Sequence, residues 1–225
     1  MSHFSLDGYL SYYNDSKINV CDGVVVYVLG TLDHNSTINI NDALKIIKIT
    51  VKVNKLSLNI SDLYRSRSII KPKCNNLIEN YLSQTSNLSN HFIIGDFNMN
   101  IMDNDFDNSI FLGHMLSYGY CPLINTITRP NPLNNNGSCI DNIFAKSNLF
   151  CKSIVHKQIF TDHFPIFAII DLNTNFEKQK NVSHNFLNYK KFYSSALQIN
   201  WDHILTYNNP SLALLELKNC INKCI

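Results

Sequence analysis

The sequence predicts an α+β fold in which antiparallel strands are covered by helices, and three kinds of pattern support this prediction. Residues 47–53 and 56–60 alternate apolar and polar side chains, which is typical of a β-hairpin with one buried face. Residues 23–28 are a continuous apolar run rich in valine, which favours a buried strand. Apolar residues recur at helical spacing between positions 77 and 82 and predict a helix. Hairpins and helices mixed in this way favour antiparallel sheets with helices outside.

The elements that follow are predicted by shorter apolar runs. A buried strand is expected at residues 91–94, and a helix is expected at residues 111–116. Further strands are expected at residues 121–128, 140–144 and 164–170. These elements continue the mixed α and β pattern along the chain.

A change in composition divides the chain late in the sequence. We expect residues 1–172 to form the α+β domain and residues 173–225 to form a linker and a helical segment. Residues 173–188 are polar, as linkers often are, whereas residues 186–197 and 210–225 have helical patterns.

The overall composition is that of a globular protein. Of the 225 residues, 45% are hydrophobic and 16% are charged, which suits a domain with a sizeable core and argues against general disorder. The formal net charge is only +2, so we do not expect nucleic acid to bind through a broad basic surface. A local basic patch remains compatible with this charge.

Cysteine usage and the first residues indicate the compartment. The chain has seven cysteines, an odd number, with no Cys-x-x-Cys pair and no signal-like apolar segment at the start. We therefore expect reduced thiols in a nuclear or cytoplasmic protein that is not secreted. No apolar run approaches the roughly 20 residues that a membrane span needs, so no membrane partner is expected.

Four segments place polar side chains beside predicted strands, and each alone is weak evidence of function. The segments are Leu63-Tyr64-Arg65-Ser66, Gly95-Asp96-Phe97-Asn98, Gly137 to Phe144 and Thr161 to Ile166. Together they are more informative, because carboxylates beside apolar strands must face a polar cleft, bind a metal or find donors. Asp, Asn, His and Tyr at strand ends suit metal-assisted hydrolysis of a phosphodiester, in which a cation such as Mg²⁺ neutralises phosphate charge.

The order of these motifs resembles the endonuclease/exonuclease/phosphatase superfamily. The motifs are Gly-Asp-Phe-Asn, then Ser-x-Ile-Asp-x-Ile-Phe, then Asp-His-x-Pro-Ile, and the resemblance covers roughly residues 8–172. Tyr64-Arg65-Ser66 and Thr128-Arg129-Pro130 are similar to the non-LTR (LINE-type) retrotransposon branch, as is the segment around Trp201. The resemblance implies a DNase I-like, four-layer α/β-β/α sandwich. It also implies a metal-dependent endonuclease that cleaves DNA phosphodiester bonds and comes from a retrotransposon polyprotein.

The resemblance assigns catalytic roles to five residues. Tyr64 would contact the scissile phosphate, and Asp96 would position or deprotonate the attacking water. Asn98 would orient the phosphate and Asp96. Asp141 would support the hydrogen bonds of the histidine, and His163 would bind phosphate and stabilise its charge.

The resemblance also implies ligands and partners. Asp162 would be a metal-side carboxylate together with Asp96, and Arg65 and Ser138 would be further phosphate- or DNA-binding residues. The implied cofactor is Mg²⁺, with Mn²⁺ as an alternative. The implied partners are DNA and a reverse transcriptase domain in the parent polyprotein.

The beginning of the sequence departs from the family pattern. No Glu occurs before Glu79, and no predicted strand precedes Asn14, whereas the family begins with an Asn-bearing strand and a strand that ends in a metal-binding Glu. We therefore expect a domain that lacks its first two strands and has impaired activity. The alternatives are a non-catalytic relic of such a domain, or a phosphatase of the same superfamily that acts on a lipid or small phosphoester.

Overall fold

The structure is a computed structural model, and it divides into two compact units, Met1–Gln179 and Lys180–Ile225. The residues it describes are 5–15, 23–39, 44–103, 105–131, 133, 136–158, 161–172, 195, 197–207 and 210–224. The predicted linker at 173–188 and nearly all of the predicted helix at 186–197 lie outside the described residues.

Strands dominate the first unit. Its helices are α1 (Lys71–Gln84) and α2 (Phe106–Ser117). Its strands are β1 (Tyr9–Asp15), β2 (Gly23–Leu29), β3 (Asp33–Asn39), β4 (Leu44–Val53), β5 (Leu56–Arg65), β6 (His91–Asp96), β7 (Cys121–Pro122), β8 (Arg129–Pro130), β9 (Gly137–Ser138), β10 (Asp141–Lys146), β11 (Cys151–Val155) and β12 (Ile166–Ile170).

A six-stranded sheet with the order β3-β4-β5-β6-β10-β7 forms the centre of this unit. β5 and β6 are parallel, because α1 connects them as a crossover, and the other neighbours are antiparallel. The strands β1 and β2, β8 and β9, and β11 and β12 form separate antiparallel pairs. The predicted hairpin is confirmed as β4–β5, and the α+β class is confirmed with it.

The strand predicted at residues 121–128 is mostly wrong. Only Cys121 and Pro122 pair with β10, and Pro122 has no amide hydrogen for a longer ladder. At Ile124 the side chain of Asn142 takes the place of a neighbouring strand. Asn142 Oδ1 accepts from the Ile124 amide at 3.3 Å, and Asn142 Nδ2 donates to the Ile124 carbonyl at 2.8 Å. The segment therefore leaves the sheet as a loop.

The two faces of the central sheet carry different layers. Alternate side chains of β4 point to opposite faces, so Leu44 and Ile46 join the core beneath the helices, whereas Ile47 and Ile49 pack against Val24 and Val28 of β2. The helix-side core is rich in aromatic rings. It includes Phe97, Phe111, Phe144, Tyr81 and Tyr120. These two cores position the strand ends that carry the site.

The second unit contains two described helices. They are α3 (Asp202–Leu205) and α4 (Pro210–Cys224), so the helix predicted at residues 210–225 is confirmed up to Cys224. Across the described part of the chain, every helix is too short or too polar to span a membrane.

Candidate active site

Three adjacent strands bring polar side chains to one edge of the central sheet. Asp96, at the end of β6, lies opposite Tyr64 of β5 on one side and opposite Asp141 of β10 on the other. Residues opposite each other on neighbouring strands point to the same face. That face is the one that packs against β2, because Tyr64 packs against the cluster around Ile47 and Val24.

The loop after β6 has a backbone shape that its sequence makes possible. Gly95 has φ +151°, and a Cβ atom at this position would lie 1.8 Å from the carbonyl oxygen of Leu63. Only glycine tolerates so close an approach between β6 and β5. Asn98 has φ +49°, a left-handed conformation that asparagine tolerates better than most residues. The Gly-Asp-Phe-Asn motif therefore encodes the turn itself.

Asn98 orients the carboxylate of Asp96. The Asn98 amide donates to one Asp96 oxygen at 2.9 Å, and Asn98 Nδ2 donates to the other at 3.2 Å. Nδ2 also donates to the carbonyl oxygen of Arg65 at 2.8 Å. Asp96 is thereby held in one orientation at the end of β6.

Arg65 lies inside the protein. Its side chain is only 5% exposed, and its guanidinium donates to the carbonyl oxygens of Asn98, at 3.0 Å, and of Ile69. The geometry places Arg65 beneath the Asp96–Asn98 loop, where it supports the backbone. A direct contact with DNA, as the sequence suggested, is not favoured by this burial.

Asp141 and His163 form a hydrogen-bonded pair. Nδ1 of His163 lies 2.8 Å and 3.0 Å from the two carboxylate oxygens of Asp141, and the two side chains are 24% and 14% exposed. Thr128 connects both segments. Its buried hydroxyl accepts from the Asp141 amide at 3.1 Å, and its carbonyl accepts from the Phe164 amide at 2.6 Å. The imidazole is therefore fixed with Nε2 left for other partners.

Burial and charge shift the acid–base behaviour of this cluster. Burial, reinforced by the nearby Asp141 carboxylate, raises the pKa of Asp96 to about 6, while Asn98, His163 and Arg65 act in the opposite direction. The hydrogen bond that His163 donates to Asp141 raises the pKa of His163 above its ordinary value, against the effect of burial. Compared with the free side chains, these shifts favour the charged form of the His163 imidazole and the protonated form of the Asp96 carboxyl.

Asp162 lies outside the cluster that its neighbour His163 joins. Its side chain is 65% exposed and accepts two hydrogen bonds from Arg129, at 2.7 Å and 3.1 Å, which lower the pKa of Asp162. It lies 3.9 Å from His163 Nε2. Ser138 lies in the β8–β9 hairpin, where its carbonyl accepts from the Thr128 amide at 3.0 Å. The structure therefore brings Asp96, Asn98 and Asp141 to His163 but leaves Asp162 and Ser138 beside the cluster.

Two further residues near the site make contacts that the sequence did not specify. Thr128 links the loops of Asp141 and His163, and Arg67 donates to Asn98 Oδ1 at 2.7 Å. The sequence placed Arg67 in a small basic cluster with Arg65, Lys71 and Lys73, for which a solvated loop and a contact with a DNA backbone were both open. Nothing local distinguishes a buried threonine that accepts two amides from any other threonine.

Three groups of the cluster have the chemistry of metal ligands. One ligand atom from each of Asp96, Asp141 and His163 can be chosen so that all lie within 4.8 Å of one another. Carboxylate oxygens are the ligands that Mg²⁺ prefers, and it usually keeps several waters. The donor set fits a partly hydrated divalent cation held by Asp96 and Asp141, because Mg²⁺ prefers carboxylate oxygens to an imidazole nitrogen.

The first unit has the DNase I-like fold of endonuclease/exonuclease/phosphatase proteins, with the polar cluster at the ends of its central strands. The sequence itself matches no protein-family model and no curated protein.

Solved structures with this fold include a retrotransposon domain. The endonuclease domain of TRAS1, a telomere-specific non-LTR retrotransposon, shares 11% identity over 74% of this chain and 80% of that chain, with a TM-score of 0.62. An endonuclease/exonuclease/phosphatase family protein from Bacteroides thetaiotaomicron shares 15% identity over 74% and 75%, with a TM-score of 0.52. D. rerio TDP2 complexed with a single-strand DNA product shares 12% identity over 73% and 77%, with a TM-score of 0.51. At these identities the likeness establishes the fold.

Proposed function

We propose that this chain is a metal-dependent endonuclease that hydrolyses DNA phosphodiester bonds. The observation that supports the proposal is the convergence of Asp96, Asn98, Asp141 and His163 at one edge of the sheet, with Tyr64 in register beside them. Carboxylates that can orient water and hold a cation, next to an imidazole held by a carboxylate, suit phosphoryl transfer. Two similar folds support DNA as the substrate: that of a retrotransposon endonuclease and that of a protein with bound single-strand DNA.

The positions of the site residues suggest a separate catalytic role for each. Asp96, held by Asn98, orients or deprotonates the attacking water once it is ionised. His163, held by Asp141 through Nδ1, presents Nε2 to a phosphate oxygen and stabilises the charge that develops there. Asp96 and Asp141 would also hold Mg²⁺ or Mn²⁺, which would neutralise phosphate charge. Tyr64 adds a phenolic donor on the same face of the sheet.

We further propose that the domain belongs to a retrotransposon polyprotein that carries a reverse transcriptase. The similarity to the TRAS1 endonuclease fold supports this origin, as does a separate compact unit at Lys180–Ile225 that can serve as a connection. Genomic sequence on both sides of the coding segment tests it. A reverse transcriptase reading frame downstream is expected, and its absence at every copy would contradict the origin.

A supercoiled-plasmid nicking assay tests the endonuclease. The wild-type chain is incubated with Mg²⁺, Mn²⁺ or EDTA, beside His163→Ala and the surface control Lys55→Gln. Metal-dependent open circles that the control retains and His163→Ala loses are the expected result. Hydrolysis of a small phosphoester without nicking would indicate a phosphatase, and the absence of both activities would indicate a non-catalytic relic.

A further inference from the structure

The turn after β5 carries two arginines in contrasting positions. Arg65 is 5% exposed and uses its guanidinium on two backbone carbonyls. Arg67 is exposed, and its Nε donates to Asn98 Oδ1 at 2.7 Å. Both therefore contact the Asp96–Asn98 loop, but only Arg67 does so from the solvent side.

The hydrogen bonds of Asn98 leave its amide without a donor for a ligand. An amide nitrogen has two hydrogens, and Asn98 Nδ2 donates to Asp96 at 3.2 Å and to the Arg65 carbonyl at 2.8 Å. Its oxygen accepts from Arg67. Asn98 thus orients Asp96 but has no N–H left for a phosphate oxygen while these bonds persist. A phosphate beside Asp96 and Asn98 needs another donor.

Arg67 has the free donors that Asn98 lacks. A guanidinium has five N–H groups in a planar fork, and the bond from Nε to Asn98 fixes the plane of that fork. Its two Nη groups meet no partner among the residues that the structure describes. A fork fixed at Nε loses less rotamer freedom when it binds a phosphate in a bidentate way.

The other cations of this segment are less suited to that task. Arg65 is buried, and Lys71 is ion-paired with Asp105. Lys73 is exposed on α1, and no contact with the cluster is seen for it in the described structure. We propose that Arg67 binds a phosphate of the nucleic-acid backbone beside the bond that is cleaved, an inference that rests on the function proposed above.

A binding experiment without catalysis tests Arg67. Duplex DNA labelled with a fluorophore is titrated by anisotropy in EDTA at several salt concentrations, using wild type, Arg67→Gln, Arg67→Lys and Lys55→Gln. Lys55→Gln is a matched control, because it removes the same charge from the turn before β5. The ten residues of β5, about 33 Å at about 3.3 Å per residue, separate Lys55 from the turn that holds Arg67. Urea unfolding midpoints confirm that the exposed substitutions leave the fold intact.

The expected pattern separates a phosphate contact from general charge. Arg67→Gln should weaken binding about tenfold and reduce the slope of log K against log salt by about one, since one phosphate contact is lost. Arg67→Lys should keep the slope but bind several-fold more weakly, because an ammonium lacks the fork. Lys55→Gln should bind as wild type does. If Arg67→Gln and Lys55→Gln bind DNA equally well while the wild-type chain nicks plasmid, the role of Arg67 is overturned and the endonuclease proposal stands. If the wild-type chain neither binds nor nicks DNA, both proposals are overturned.

Discussion

Nδ1 of His163 lies 2.8 Å from a carboxylate oxygen of Asp141, and this contact joins the start of β10 to the loop before β12. Because Nδ1 donates to Asp141, the orientation of the ring is fixed, and Nε2 points away from Asp141. The pair also lies near Asp96, whose carboxylate contributes to raising the pKa of His163. The chemistry of the site therefore depends on a hydrogen bond between segments 22 residues apart.

Replacing Asp141 with Asn should impair catalysis through His163. Asparagine keeps the shape of the side chain but accepts more weakly from an imidazolium, so we expect a loss of roughly 10- to 100-fold in the nicking rate. His163→Ala should lose about 100-fold or more, because the group itself is removed. Initial rates of plasmid nicking measure both. An NMR titration should show the pKa of His163 falling in Asp141→Asn, and an unchanged titration would contradict the pairing.

Asp96 should make the protein less stable as pH rises through the mildly acidic range. Its pKa is raised by folding from the ordinary 3.8 to about 6, so the folded state binds the proton more tightly than the unfolded state. The destabilisation is absent below about pH 4 and complete above about pH 6, where it amounts to roughly 1–3 kcal/mol. Urea unfolding of wild type and Asp96→Asn at pH 4 and pH 7.5 measures it. We expect the stability difference to move in favour of Asp96→Asn at the higher pH, and a constant difference would refute the shift.

Gly95→Ala should unfold or severely destabilise the first unit. The new Cβ would lie 1.8 Å from the Leu63 carbonyl oxygen, at a positive φ that alanine rarely adopts, so we expect a loss of about 3 kcal/mol or more. Gly113→Ala is the matched control, because that Cβ would meet nothing within 4 Å inside α2. The control should be neutral or more stable by about 0.5–1 kcal/mol. Equal unfolding midpoints for both variants would show that the β5–β6 approach is looser than described.

Mg²⁺ should bind the chain weakly. Asp96 and Asp141 supply two carboxylates, and Asp162, which could have added a third, is paired with Arg129. We expect a dissociation constant of about 1 mM or weaker, with further loss in Asp96→Asn, because few charged ligands replace the hydration shell. Isothermal titration calorimetry with Mg²⁺ and Mn²⁺ measures the affinity. Micromolar binding that survives Asp96→Asn would place the metal on other residues.

Much of the central sheet was predictable because burial leaves a periodic trace in the sequence. β4 alternates because Ile47, Ile49 and Val51 are buried against β2, whereas the polar residues between them are partly exposed. β6 begins as an apolar run because its successive residues Phe92 and Ile93 are both buried. β3 was missed for the same reason. It is an edge strand with almost every residue exposed, so its sequence, Asp-His-Asn-Ser-Thr-Ile-Asn, shows no buried side.

The site motifs could also be identified from the local sequence, whereas the contacts of their individual side chains could not. Gly95 and Asn98 encode their own turn, and Asp96 follows its strand directly, so these residues could be selected from the chain alone. Arg65 and Arg67 look equivalent in sequence, yet one is buried beneath the loop and the other is exposed beside it. That difference arises from contacts with Asn98, more than 30 residues away. Local pattern specifies which residues can fold into strands and turns, but only packing decides which hydrogen bonds a polar side chain has left to offer, because its partners come from distant parts of the chain.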